Sequence, residues 1–362
     1  MSKLKFVIVL LSFFIVSGCT LSRFQSDTNV NLSSPLDNLM MSSMSDSILS
    51  LRFEFPEPYI VGVITDVLFV DSTIFIVDKK QGYIFRYGIN GTFLNRIGSQ
   101  GEGPEDFQKI TNVTIDEDYV YVGNISARKI YCYEHNGKFV ICIQSTFDVI
   151  YDDIVALPDG NFLCHDIVGY KNEAKLWIMG SDGKKKQELL LHKSIYPYSY
   201  NSFNSIGYTD DLNVYKILDP ISGSLYYYDA ANNSLVVGYT FVSDVNGLDK
   251  FDGSYDLLSI RDDYAYPLYH AESDIAGYML WNSSTSIVFH SSFKKYDEMI
   301  RVYKRLNMDI LDYPCFSLPV STNLSSAIVA VLTNEYSSDC FPKGYDKNLN
   351  EHSCIVNIFS LK

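Results

Sequence analysis

Ile74-Phe75-Ile76-Val77-Asp78 aligns with Val120-Tyr121-Val122-Gly123-Asn124 when the chain is laid against itself at an offset of 46. The alignment continues without a gap. Tyr83-Ile84-Phe85-Arg86-Tyr87 meets Lys129-Ile130-Tyr131-Cys132-Tyr133, and Asn90-Gly91 meets Asn136-Gly137. Each unit has short β-branched and aromatic runs, then an Asn-Gly turn, then another run. Asn-Gly supplies the positive φ angles of a tight hairpin. A four-strand unit that repeats every 40 to 50 residues or so is one blade of a β-propeller.

The third copy is looser. Phe162-Leu163-Cys164-His165-Asp166 follows the second unit at an offset of 42, and Asp182-Gly183 follows Asn136-Gly137 at 46. Four residues have therefore entered between the second and third strands. A fourth copy runs through Val214–Ile217, Leu225–Asp229 and Leu235–Val237. Later strands are expected near 277–281, 286–290, 299–303, 327–333 and 355–361, with insertions at 193–207, 244–270 and 338–353. Dividing the span by the repeat length gives nearly seven units, and the insertions use up the excess, so an all-β, six-bladed propeller is expected, with seven blades as second choice. Ser50-Leu51-Arg52-Phe53-Glu54-Phe55 alternates polar and apolar before Pro56. It is expected to pair beside the C-terminal strand and close the final blade, hiding an open edge.

The start of the chain is different in kind. Lys3 and Lys5 precede a nearly unbroken apolar run, Phe6 to Val16, followed by Ser17-Gly18-Cys19. A basic start, an apolar centre and small residues before a cut make a secretory signal. The final residues resemble a bacterial lipobox, in which the Cys thiol is acylated and becomes the new N-terminus. Residues 1–18 are thus read as a lipoprotein signal peptide, with Cys19 as the lipid attachment site. Residues 19–47, rich in Ser, Asn and Asp, read as a flexible tether. Residues 48–362 read as the propeller domain.

The chain carries a net charge of −14. That excludes nucleic acid as a partner, because phosphates need Lys and Arg. Seven Cys are present. None forms a CxxC, and Cys340 with Cys354, which bracket a polar stretch, is the candidate disulfide. In the Asn136-Gly137 hairpin a two-residue turn sets Cys132 opposite Ile141, so no bridge to Cys142 is expected. Tyr is abundant, at 28 residues. Tyr196, Tyr198 and Tyr200 alternate in one expected insertion, and Tyr264, Tyr266 and Tyr269 cluster in another; these are the candidate ligand contacts. Asp78, Asn124 and Asp166 share one repeat position, where a side chain can satisfy turn amides. There is no Gly-x-Ser-x-Gly for nucleophilic catalysis.

At the first unit boundary stands Arg96-Ile97-Gly98-Ser99-Gln100-Gly101-Glu102-Gly103-Pro104-Glu105-Asp106-Phe107. This resembles the junction of the six-bladed β-propeller lipoproteins of Bacteroides-type bacteria, which are similar to NHL-repeat propellers. Those proteins carry Ile-Gly, then Gly-x-Gly-Pro-Gly-Glu and an aromatic residue. They also share a strand ending in Asp, here Asp78, and a terminal Leu-Lys, here Leu361-Lys362. This chain departs with Glu105-Asp106 in place of Gly-Glu. Without the Lys-Ser/Thr of a phosphate loop, Gly101-Glu102-Gly103-Pro104 reads as a blade-to-blade crossover.

The resemblance implies an envelope location, at the outer membrane with its side open, and names no activity. Some NHL-type propellers hold a metal at the channel mouth with His from several blades. His165, Asp166 and His270 are the candidate donors here, and zinc or calcium is what such donors would take; no cofactor is otherwise indicated. The leading functional expectation is a membrane-anchored binding or scaffolding module for a glycan, a peptide or an outer-membrane protein partner. The alternative is a metal-dependent hydrolase or lyase at the channel mouth.

Overall fold

The computed structural model describes residues 28–31, 39–40, 45–146, 151–166, 173–192, 205–209, 211–219, 224–242, 254–260, 264–271, 275–282, 287–293, 306–307, 320, 322–324, 327–333 and 349–361. Five four-stranded antiparallel blades follow one another along the chain. Blade 1 runs Asp66–Val70, Thr73–Asp78, Tyr83–Gly88 and Phe93–Arg96. Blade 2 runs Asn112–Ile115, Tyr119–Asn124, Lys129–Glu134 and Phe139–Gln144. Blade 3 is Asp153–Ala156, Phe162–His165, Ala174–Met179 and Lys185–Leu191. Blade 4 is Ile206–Tyr208, Val214–Asp219, Ser224–Asp229 and Ser234–Val242. Blade 5 is Ser254–Ile260, Tyr264–Ala271, Ile275–Asn282 and Ile287–Phe293. The first strands of neighbouring blades touch one another and so line the central channel.

The blade number corrects the sequence-based expectation of six, with seven second: among the described residues the structure has five four-stranded blades. The C-terminal strands Ala327–Thr333 and Ser353–Leu361 form a three-stranded sheet with Ser45–Glu54. Division by the repeat length cannot tell a blade from connections plus a smaller sheet. The stretch 244–270, taken as an insertion, in fact holds the first two strands of blade 5. Pro267 hid the pattern. It has no N–H to give to a ladder, and the pairing with the third strand skips Tyr266 and Pro267.

The N-terminal strand does pair with the C-terminal one, from Glu54 opposite Ser353 to Ser45 opposite Leu361. This closing sheet packs on blade 1 through one apolar cluster that includes Phe53, Phe55, Val356, Ile76, Phe85 and Tyr87. Two short pieces of the expected tether also pair with later strands. Thr28–Asn31 lies parallel to Tyr239–Val242 at the outer edge of blade 4, and Leu39–Met40 lies parallel to Leu306–Asn307.

The repeat hairpins explain why the blades stack. Glu134 N donates to Lys138 O and Gly137 N to Glu134 O. The loop therefore has three residues, ending in Gly137 at φ 91°, and not the two-residue turn expected. A bulge between Cys132 and Tyr133 restores the register, so Cys132 still faces Ile141, and both Cys132 and Cys142 are free thiols. Asn136 Oδ1 accepts from Lys138 N, as Asn90 does from Thr92 N and Asp182 from Lys184 N. A Cβ on Gly137 would sit 2.4 Å from Arg96 O, on the outer strand of blade 1. Gly183 meets Gln144 O of blade 2, and Gly91 meets Arg52 O of the closing sheet, in the same way. Each hairpin tip thus rests on the outermost strand of the sheet before it.

The crossover between blades 1 and 2 is as expected. Phe107 is fully buried, Phe107 N donates to Ser99 O, and Gly103 N donates to the Asp106 carboxylate.

Gly160 offers a control, because it has φ 76° but nothing within 4 Å of its Cβ position. Gly160→Ala is expected to cost about 1 kcal/mol, the left-handed penalty alone. Gly137→Ala adds a backbone collision and is expected to cost about 3 kcal/mol in urea unfolding. Equal costs for the two would show that hairpin–blade contact contributes nothing.

Candidate functional site: the two ends of the channel

At the end where the inner strands begin, polar side chains tie blade to blade. Asp66, Asn112 and Asp153 each open the first strand of their blade and are buried. Asn112 Nδ2 donates to Asp153 Oδ1 at 3.1 Å. Asp153 Oδ2 accepts from Ser205 N at 2.6 Å and Ile206 N at 2.8 Å, the start of blade 4. Lys79 Nζ lies 3.0 Å from Asp66. Between blades 3 and 4 a buried ion pair joins Lys175 to Asp219 at 2.7 Å. Breaking one side of such a pair costs about 3–5 kcal/mol, because the other charge is left buried. Asp78 and Asn124 hold turn amides as expected, Asp78 accepting from Gln81 N and Gly62 N and Asn124 from Ala127 N.

His165 belongs to this end. Its Nδ1 lies 2.7 Å from Ser205 Oγ, and both residues are buried. Burial pushes the His165 pKa down to about 4, so the ring is neutral. A Ser–His contact at this distance invites a catalytic reading. Neither residue is open to a substrate, and no carboxylate is hydrogen-bonded to the ring among the described residues, so the contact is a joint between blades 3 and 4. Burial pushes Asp153 up to about 7, against the pull of its backbone N–H donors.

Asp166 follows His165, and its carboxylate lies 3.7 Å from His192 Nε2. The His192 side chain is buried beside that carboxylate. His270 lies on the second strand of blade 5. No group of three His, Cys, Asp or Glu among the described residues could hold a metal. Tyr264, Tyr266 and Tyr269 sit in that same strand, not in a loop as expected. Tyr196, Tyr198, Tyr200 and Cys19 lie outside the described residues, as does Cys340; Cys354 is a buried free thiol on the C-terminal strand.

The other end of the channel holds a cavity among the described residues. There the turns between first and second strands of blades 1 to 4 surround a cavity of about 510 Å³. Its wall is apolar and aromatic, with Phe69, Ile115, Leu157, Tyr208 and Tyr215. Tyr208 Oη lies 3.3 Å from Thr114 Oγ1, and burial raises its pKa to about 12. Asn323 closes the circle from the segment before the closing sheet. Its Oδ1 accepts from Phe69 N and its Nδ2 donates to Phe69 O, each at 2.7 Å, pairing with blade 1 as a strand would. The rim is acidic: Asp71, Asp116, Glu117, Asp118 and Asp211. Asp116 Oδ1 accepts from Asp118 N and Tyr119 N, and its Oδ2 from Tyr121 Oη, which fixes that turn.

The sequence reading missed this cavity, though a signal was present. Asp71, Glu117 and Asp159 occupy the same repeat position at the offsets of 46 and 42 already used for the strands.

Comparison with known proteins bears on the fold. Residues 27–355 match the family described as a domain of unknown function, DUF4934. The chain belongs to that family. No curated protein matches it. A crystal structure of a Bacteroides fragilis protein designated as exported superposes with a TM-score of 0.69 at 15% identity, covering 92% of this chain and 100% of that one. A DUF4221 member from Bacteroides vulgatus has a TM-score of 0.43 at 11% identity, covering 88% and 97%. The first likeness supports the propeller fold; the second is too distant to add to it. The family assigns neither ligand nor reaction.

His165 makes stability depend on pH. Its folded pKa is lowered below the ordinary 6.5, so the unfolded chain binds the extra proton. Stability is then full above about 6.5 and falls as pH drops towards 4, by about 3 kcal/mol for this group. His165→Asn should flatten that limb relative to wild type in urea unfolding at pH 7 and pH 4.5. An unchanged slope would mean that the ring is not buried neutral.

Proposed function

We propose that the chain is an envelope lipoprotein, acylated on Cys19, whose propeller is a binding module. The observation that carries this reading is the cavity at the channel mouth. Turns from four blades and Asn323 converge on it, and its size is in the range of small-molecule sites. The apolar run before Cys19 and the exported relative of the same fold support the location. Lipid on Cys19 would tether the propeller to a membrane, with more than one acyl chain needed for lasting attachment. Binding at the mouth suits a glycan, peptide or envelope component better than turnover does. The Ser205–His165 contact is buried away from this cavity.

Two experiments test it. Radiolabelled palmitate should enter the full chain and not Cys19→Ser, and the variant should leave the membrane fraction. The unacylated chain should then be heated with a panel of envelope-derived sugars, amino acids and short peptides. At least one should raise the melting temperature by about 2 °C or more, and Asn213→Trp, which fills the cavity from its rim, should abolish the shift. Shifts that survive the substitution would move the site elsewhere. Chemical conversion of the bound compound would replace the binding reading with an enzymatic one.

A further inference from the structure

We propose that the channel-mouth cavity takes an organic cation, a primary ammonium or guanidinium carried on an apolar stem. The proposal rests on the cavity being a ligand site and adds the chemical class of its ligand.

The walls and the rim ask for different things. The walls of Phe69, Ile115 and Leu157 would receive an apolar stem. Tyr208 and Tyr215 stand side by side in the wall, ring centroids 5.9 Å apart, and aromatic faces attract cations. Among the described residues the rim carries only one sign of charge, with no Lys, Arg or His lining the cavity. Its carboxylates also divide by task. Those of Asp116 and Asp211 are turned to backbone amides, Asp211 accepting from Asn213 N. The side chains of Asp71, Glu117 and Asp118 are exposed and make no hydrogen bond or ion pair among the described residues. They come from two blades and point charge at a single opening. A cation entering the cavity would meet the rim with its charge and the walls with its stem. A neutral ligand of the same shape would gain the walls alone, and an anion would be repelled.

A bare divalent metal fits less well. Calcium takes six to eight oxygen ligands at short range, and among the described residues no three His, Cys, Asp or Glu side chains are close enough to share an ion. The net charge of −14 would draw cations towards the chain in general, so the test must separate this opening from that background.

Titration calorimetry on the full Cys19→Ser chain does so with matched probes. N-acetyl-lysine methylamide stands for a peptide side chain, cadaverine for a free amine, and N-acetyl-norleucine methylamide has the same stem without the charge. The lysine probe should bind at least about tenfold more tightly than the norleucine probe, a difference of about 1.4 kcal/mol. The preference should shrink as salt is raised. The triple variant Asp71→Asn, Glu117→Gln, Asp118→Asn should reduce it to less than about threefold and leave norleucine binding unchanged. Tighter binding of cadaverine than of the lysine probe would support a free amine as the source, and the reverse a peptide. Equal affinity of the lysine and norleucine probes in wild type would overturn the cation and leave the cavity as a ligand site. A full preference retained by the triple variant would place the attraction elsewhere on the surface and overturn the proposal. Absence of binding by all three at millimolar concentration would overturn the cation, and the thermal-shift panel with Asn213→Trp would decide separately whether the cavity is a ligand site.

Discussion

The ladder between Ser45–Glu54 and Ser353–Leu361 is the constraint on which the remaining structure depends. It joins residues some 300 positions apart, and closing so long a loop costs roughly 5 kcal/mol in chain entropy. Phe53 and Phe55 both become buried against blade 1, and at about 2–3 kcal/mol each they match that cost before any hydrogen bond is counted. The ladder also provides the surface on which the blade 1 hairpin rests, through Gly91 against Arg52 O. Without it, blade 1 would lose the neighbour that blades 2 and 3 have, and the edge of Ser353–Leu361 would lie open to other chains.

Contacts between blades fall into two kinds, and they divide the channel. The outer contact is steric: a hairpin glycine on a carbonyl of the previous sheet. The inner one is polar and buried, running from Asn112 to Asp153 and on to Ser205, with Lys175–Asp219 beside it. Those groups are buried at one end of the channel, whereas Asp71, Glu117 and Asp118 at the other end are exposed. The cavity at that other end is framed by turns already held by Asp116 and Asn323. A ligand arriving there would not have to order the site.

What the sequence revealed followed the repeat. Where Asn-Gly or Asp-Gly recurred, strands and register were legible, down to Cys132 facing Ile141, although a bulge and not the turn produced that pairing. In blade 5 Pro267 interrupts the second strand, so its first two strands were read as an insertion, while its last two were expected near 277–281 and 286–290. The cavity was illegible for a different reason. Asn323 and Phe69 meet across 254 positions, and no local pattern predicts that. The acids at the repeat turns were visible, but periodic residues are usually structural; only the three-dimensional arrangement shows which of them are spent on backbone amides. His192 illustrates the same limit, since its burial beside Asp166 comes from packing and not from its flanking residues.

The central claim is that the ring is closed by its N-terminal strand. Hydrogen exchange on the full chain and on a variant lacking residues 48–56 tests it directly. The account predicts that the deletion removes protection throughout blade 1 and the C-terminal strands, and that cooperative unfolding is lost. Unchanged protection in blade 1, with a single unfolding transition at the wild-type midpoint, would contradict it.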